Sequence, residues 1–183
     1  MKKIVVVLYA LLFVSVNAHQ HEKNEVTIKT ERAAGNIYML TGQGGNIGVY
    51  AGTGGVLMVD DQFAPLSQKI LTAIKKLSDK SPSYVINTHW HYDHTGGNEN
   101  FASQGSVIVA HENVRKRLSS DQFIKFFNKE VPATKPVGLP SITFTSNISF
   151  HLGNEKIEVF HVKSAHTAGD AVVHFKTSNV LHT

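Results

Sequence analysis

Short hydrophobic segments alternate with polar turns along most of the chain. In the first third, segments rich in β-branched and aromatic residues predict strands at 26–30, 37–40, 47–50 and 55–60. The glycine-rich segment 42–48 lacks the spacing of a dinucleotide-binding fingerprint, and a strand rather than a helix follows it. Its glycines are therefore interpreted as turn residues.

Apolar residues at helical spacing come next, and further predicted strands follow them. Leu66, Ile70 and Ile74 fall on one helix face, and Pro65 suits the first turn of that helix. A second helix is predicted from about Asn113, with this residue as its cap. More strands are predicted at 84–87, 107–110, 142–145, 157–161, 171–175 and 179–182. This mixture of elements predicts an α+β fold.

The first eighteen residues have the pattern of a secretory signal. Lys2 and Lys3 precede an apolar run at 4–14, and the small residues Val16 and Ala18 suit cleavage after position 18. The alternative is a membrane anchor, but the run is short for a hydrocarbon core of about 30 Å. We therefore expect a signal peptide, 1–18, and one domain, 19–183, in a periplasmic or secreted protein without a stable membrane anchor.

Charge and composition narrow the possible chemistry. Apart from Lys2 and Lys3, the chain has 16 basic and 14 acidic residues. This balance does not argue for nucleic-acid binding, and no nucleic-acid partner is expected beside a small-molecule substrate. The chain has no cysteine, which rules out disulfides, thiol nucleophiles and zinc–thiolate sites. Any metal must be held by His, Asp and Glu. The oligomeric state is left open.

Residues 89–94 carry the strongest chemical signal, directly after a predicted buried strand. His89 and His91 are two apart, and alternate side chains of an extended segment share a face, so both can bind one cation. Asp93 and His94 follow and offer an oxygen and a nitrogen to a second cation. Hydrolytic sites with two metals hold them about 3.5–4 Å apart, within reach of one loop. The alternative, unrelated histidines beside a turn aspartate, explains this clustering less well.

These residues resemble the signature of the metallo-β-lactamase superfamily. The family's strand that ends in an aspartate is similar to 56–60, and its third-histidine motif is similar to 165–170. The resemblance covers about 36–183. It implies a four-layer αββα sandwich, of which 19–183 would supply the N-terminal half and part of the second half.

The resemblance also implies a set of metal ligands. The first metal would be held by three histidines: His89, His91 and His166. Asp93 and His94 would hold part of the second metal, and Asp93 would also handle the proton of the attacking water. Asp60 would support this loop from behind. Two zinc ions are expected per complete chain, although iron and manganese accept the same ligand types.

The implied activity is that of an exported hydrolase in which a zinc-bound hydroxide attacks an acyl carbonyl of a lactam, lactone or thioester. A narrower possibility is a β-lactamase, and a possibility from another class is a truncated, non-catalytic metal-binding protein. Family members complete the second site just past the position of Thr183. We therefore expect the domain to be incomplete at its C-terminus and a weak enzyme by itself. His182 lies too early in its strand to replace the missing ligand.

Other residues near the signature allow more than one interpretation. His111, at a strand end, is expected to be a capping or core residue, although it could border the site. Asp61 either supports the site or is a solvated turn residue. An apolar cluster in a predicted charged helix is either core packing or a wall over the metals; it consists of Phe123, Ile124, Phe126 and Phe127.

Overall fold

The computed structural model describes residues 25–124 and 128–183. The predicted signal peptide, 1–18, lies outside the described residues, as do Phe126 and Phe127 of the apolar cluster. The strands are β1 (Lys29–Ala34), β2 (Ile37–Thr41), β3 (Ile47–Gly52), β4 (Gly55–Val59), β5 (Pro82–Asn87), β6 (Val107–His111), β7 (Gln122–Ile124), β8 (Lys129–Val131), β9 (Ile142–Phe144), β10 (Asn147–Leu152), β11 (Glu155–His161), β12 (Ala171–Phe175) and β13 (Val180–His182). The helices are α1 (Ser67–Lys75), α2 (Tyr92–Thr95), α3 (Asn98–Ser103) and α4 (Glu112–Leu118).

Two main sheets are formed by these strands. The larger has the order β1-β2-β3-β4-β5-β6-β9. Its first four strands pair antiparallel, whereas β4, β5, β6 and β9 are parallel. The smaller sheet is antiparallel with the order β10-β11-β12-β13. Because β4, β5 and β6 are parallel neighbours, their carboxyl ends meet at one edge of the larger sheet.

Strand β4 shows how the layers stack. Val56 and Met58 pack on the side of α1, whereas Leu57 and Val59 pack against the smaller sheet. All four side chains are fully buried. A strand covered on both faces has no polar alternation, which explains the unbroken apolar run in this part of the sequence. The resulting helix–sheet–sheet order confirms the predicted fold class.

Some predicted elements differ from the structure. The predicted strand at 26–30 begins only at Lys29 and continues to Ala34. Strand β10 was not predicted, although Ile148, Phe150 and Leu152 alternate with exposed polar residues. Helices α2 and α3 were also missed, because four and six residues are too few to reveal a helical period.

The predicted cap of the second helix was wrong by two residues. Helix α4 begins at Glu112, and its cap is His111, whose Nδ1 accepts a hydrogen bond from the N–H of Asn113 at 3.2 Å. Phe123 lies in strand β7 rather than in a helix, and its side chain is 54% exposed. Core packing is therefore excluded for Phe123. In the parts of the chain that the structure describes, no helix combines the length and the apolar character needed to cross a bilayer.

Candidate metal centre

Three histidines from two separate parts of the chain converge beside the edge where the parallel strands end. His89 and His91 lie between β5 and α2, and His166 lies in the loop between β11 and β12. One ring nitrogen of each lies within 4.8 Å of the others. Nδ1 of His91 is 3.0 Å from Nε2 of His166. The structure thus brings together the three residues that the sequence assigns to the first metal.

The separation of these nitrogens fits a bound ion. Two nitrogens held by one zinc at about 2.0–2.1 Å in tetrahedral geometry lie about 3.3–3.4 Å apart, which is close to the 3.0 Å between His91 and His166. Without an ion, the same separation is that of an N–H···N hydrogen bond. Three imidazoles with no cysteine nearby suit zinc and other first-row metals.

Asp60 organises this segment from behind. It directly follows β4 in the left-handed region, with φ of 62°, and its carboxylate is fully buried. It accepts hydrogen bonds from the N–H of Thr88 at 2.7 Å and from the hydroxyl of Thr88 at 2.8 Å. It also accepts one from Nδ1 of His94 at 2.7 Å. Nδ1 of His89 lies 3.0 Å from the same hydroxyl. Since that hydroxyl donates its one proton to Asp60, His89 donates from Nδ1 and keeps Nε2 free for a metal.

Burial and neighbouring charged groups shift the pKa values of the side chains at this site. Burial by itself would raise the pKa of the Asp60 carboxyl, but the His182 and His94 imidazoles outweigh burial and hold it well below its usual range. Burial lowers the pKa of His89 to about 4, with the neighbouring His94 adding to the effect. Burial also lowers the pKa of His91. For His94 the contact with Asp60 outweighs burial, and the pKa is raised. His89 and His91 are therefore neutral at pH 7, as metal ligands must be.

The pair assigned to the second metal lies next to the first group. Nε2 of His94 is 3.4 Å from a carboxylate oxygen of Asp93, and the rings of His94 and His89 are 4.1 Å apart. A glycine turn packs directly on this pair. A Cβ on Gly44 would lie 2.7 Å from Cβ of Asp93, and one on Gly45 would lie 2.6 Å from Nε2 of His94. The glycines that the sequence assigned to a turn thus allow a backbone approach that no side chain would permit.

An open cleft of about 390 Å³ lies over these residues. It is lined by Thr88, His89, His91, Asp93, His94, Val162, Ala165, His166, Asp170, Ala171, Val172 and Thr183. Polar groups converge at its floor, and small apolar side chains form part of its wall. This combination is typical of a small-molecule site.

The residues with more than one interpretation fall in distinct places. Asp61 is fully buried: it accepts a hydrogen bond from the N–H of Gly97 at 2.8 Å and donates its own N–H to the carbonyl of His94 at 3.1 Å. It therefore supports the metal-binding segment and is not a solvated turn residue. His111 is buried and caps α4, as expected. His182 places Nε2 3.6 Å from Asp60, so it faces the buried carboxylate.

Two supporting residues were not recognised in the sequence. Thr88 links Asp60 to His89, and the signal for it was a hydroxyl residue between a buried strand and the first histidine. Asp170 accepts hydrogen bonds from both the N–H and the hydroxyl of Thr167, next to His166. A threonine followed three residues later by an aspartate is a local turn pattern that could have revealed it.

The comparisons of this chain with known proteins agree on one protein family. The model of the family described as "Metallo-beta-lactamase superfamily" matches residues 40–183. The metallo-beta-lactamase type 2 of Elizabethkingia meningoseptica is 30% identical over an alignment of 181 residues, and the match covers 94% of this chain and 66% of that protein. The 2,4-dinitroanisole O-demethylase subunit alpha of Nocardioides sp. (strain JS1661) is 26% identical over an alignment of 164 residues, and the match covers 86% of this chain and 46% of that protein. The chain thus spans less than two thirds of either relative.

Solved structures show the same fold. A metallo-beta-lactamase from Pontibacter korlensis superposes with a TM-score of 0.67 at 22% identity, over 85% of this chain and 70% of that one. A HARLDQ-motif mutant of a metallo-beta-lactamase from Cronobacter sakazakii superposes with a TM-score of 0.70 at 14% identity, over 85% and 63%. At these identities the likeness concerns the fold alone.

Proposed function

Since this chain belongs to the metallo-beta-lactamase superfamily, we propose that it is a metal-dependent hydrolase of acyl substrates such as lactams, lactones or thioesters. The observation that carries the proposal is the convergence of three histidine nitrogens within 4.8 Å on the floor of an open cleft. His89, His91 and His166 hold the first metal, and Asp93 and His94 contribute to the second. Zinc is the expected ion.

The bound metal supplies Lewis acidity and lowers the pKa of water toward about 7. The chain's own residues supply position and proton transfer. Asp60 fixes the ring orientations of His89 through Thr88 and of His94 directly. Asp93 lines the cleft with a side chain that is 39% exposed, which supports a role for it in accepting a proton from water.

The apolar part of the cleft wall receives the substrate. Val162, Ala165 and Val172 lie there beside His166. These small side chains form an apolar surface that carries no charge. Such a surface suits a neutral acyl group better than a highly charged substrate.

The relatives support a β-lactamase as the narrower candidate. The more similar of the two bears that name and is 30% identical. The other is named as an O-demethylase subunit, so similarity to known proteins does not fix the substrate. The signal pattern at 1–18 supports export to the periplasm or medium, where β-lactam antibiotics are met.

Metal analysis tests the site directly. After purification without chelator and dialysis against zinc, the wild-type chain should retain bound zinc. Replacing both His89 and His91 with Ala should remove the ion at the first site. The matched control is His151→Ala, because His151 is exposed on β10. Less than about one ion per wild-type chain would contradict the proposal.

Hydrolysis separates an enzyme from a metal-binding protein that does no chemistry. A panel of lactam, lactone and thioester substrates is assayed with the zinc-loaded chain and with Asp93→Asn. Turnover that falls by about 100-fold or more in Asp93→Asn, with zinc retained at the first site, supports a role of Asp93 in the reaction, through the second metal or through proton transfer. Zinc binding without turnover of any substrate class would favour the non-catalytic alternative.

A further inference from the structure

The loop that carries His166, residues 162–170, is open to solvent at the histidine itself. His166 is exposed, and Ser164 adopts a left-handed backbone with φ of 55°. Within the loop, the carboxylate of Asp170 accepts hydrogen bonds from the N–H and hydroxyl of Thr167. The position of His166 therefore depends on the contacts that hold the C-terminal end of the loop, residues 168–170.

Two side chains fasten this loop from outside. Nδ1 of His161 lies 2.8 Å from the carbonyl oxygen of Asp170, and the amide of Asn113 donates to the carbonyl of Ala168 at 2.7 Å. Between these two carbonyls, Gly169 packs so closely on α4 that a Cβ there would lie 2.9 Å from a methyl of Val114. The loop is thus attached to both β11 and α4.

His111 connects the two fastening residues. Its Nδ1 accepts the N–H of Asn113 at 3.2 Å, and its Nε2 donates to the carbonyl of Thr145 at 3.0 Å. Both nitrogens are engaged, so the ring is neutral and held in one tautomer. Its face stacks on His161, with ring centres 3.9 Å apart and planes 24° apart. Burial lowers the pKa of His111, in agreement with the neutral form.

We propose that His161 and Asn113 are positioning residues for His166, and that His111 holds both of them in register. Neither residue lines the cleft. They act by fixing the carbonyls of Asp170 and Ala168. The loop is then held in the conformation in which His166 lies next to His89 and His91. This inference rests on the proposed metal site.

The hydrogen bond and the ring of His161 can be tested separately. His161→Phe keeps an aromatic ring for stacking but has no side-chain donor, so the carbonyl of Asp170 keeps the N–H of Val162 at 2.9 Å and loses its second hydrogen bond. His161→Asn keeps an amide donor near the position of Nδ1 but lacks the ring. Asn113→Ala removes the second fastening and leaves its backbone N–H for His111. The controls are His151→Phe, exposed on β10, and Lys116→Ala, exposed on α4.

Zinc affinity is measured by competition with a chromophoric chelator, and Co²⁺ absorption reports the ligand geometry. Unfolding curves of the metal-free variants fix a temperature at which all are folded. His161→Phe and Asn113→Ala should each bind zinc about tenfold more weakly, with altered Co²⁺ spectra. His161→Asn, which keeps the hydrogen bond but loses the stacking on His111, should weaken zinc binding less than His161→Phe does, and both controls should stay within about twofold of wild type. If His161→Phe fails to fold, Asn113→Ala carries the test.

The outcomes distinguish this inference from the proposed function. Wild-type binding with unchanged affinity and spectrum in His161→Phe and Asn113→Ala overturns the positioning role alone. Equal weakening in His161→Asn and His161→Phe overturns the assigned hydrogen bond. A wild-type chain that binds no zinc overturns the proposed metal site and this inference with it.

Discussion

Oδ2 of Asp60 lies 2.7 Å from Nδ1 of His94, beneath the metal-binding segment. The same oxygen accepts the hydroxyl of Thr88, which in turn lies 3.0 Å from Nδ1 of His89. One buried carboxylate therefore orients two imidazoles, and both have Nε2 available. Such contacts set the tautomer and raise the basicity of a metal ligand.

Replacing Asp60 with Asn should weaken metal binding. The amide nitrogen would bring a donor to Nδ1 of His94, which is itself a donor, and favour the wrong tautomer of that ring. We expect zinc affinity to fall about 10–100-fold, measured by chelator competition. Asp79→Asn, on the exposed turn after α1, is the charge-matched control. An affinity equal to that of wild type would contradict the orienting role.

Removing the hydroxyl of Thr88 should act through His89. Thr88→Val keeps the shape of the side chain, but leaves Nδ1 of His89 and Oδ2 of Asp60 without this partner. We expect about tenfold weaker zinc binding and some loss of stability, because buried polar atoms become unsatisfied. Thr88→Ser should restore most of the affinity. If Thr88→Ser and Thr88→Val bind zinc equally weakly, the hydroxyl of Thr88 is not what supports metal binding.

A side chain at Gly45 should displace His94. The added Cβ of Gly45→Ala would lie 2.9 Å from Nδ1 and 2.6 Å from Nε2 of His94. The glycine turn or the ring must move, so the second metal should be lost before the first. Metal content per chain and the thermal unfolding midpoint are the measurements. Gln43→Ala, exposed in the same turn, should behave as wild type.

The metal-free chain should lose stability in acid through His89. Its folded pKa is about 4 against an ordinary value of 6.5, so in this window the unfolded state binds more protons. The free energy of unfolding should therefore fall as the pH drops from about 6.5 to about 4, and His89 should add no further loss below that. His94, whose pKa is raised, contributes the opposite slope above pH 6.5.

Urea unfolding of chelator-treated protein at several pH values measures this dependence. His89→Gln should have a flatter profile between pH 6.5 and 4, whereas His151→Gln should keep the wild-type slope. An unchanged slope in His89→Gln would show that burial of this imidazole does not govern the acid sensitivity.

Much of the site could be predicted because its signal is local. His89, His91, Asp93 and His94 lie within six residues after a buried strand, and the alternation of an extended segment predicts that the first two share one face. The residues of β4 likewise predicted a strand, and the family resemblance marked Asp60 at its end. Short elements such as α2 and the amphipathic strand β10 were missed, because the alternation of apolar and polar positions is hard to recognise over only a few residues.

The sequence by itself determined most strands of the two main sheets, the kinds of ligand available and the exclusion of thiol chemistry. Only the tertiary structure decided which distant groups meet. His166 reaches His91 from 75 residues away, His111 stacks on His161, and Asp61 is buried against Gly97 rather than solvated. The physical reason is that local periodicity depends on neighbouring residues, whereas these contacts depend on the packing of two sheets against each other. That packing brings the carboxyl ends of the parallel strands beside the β11–β12 loop.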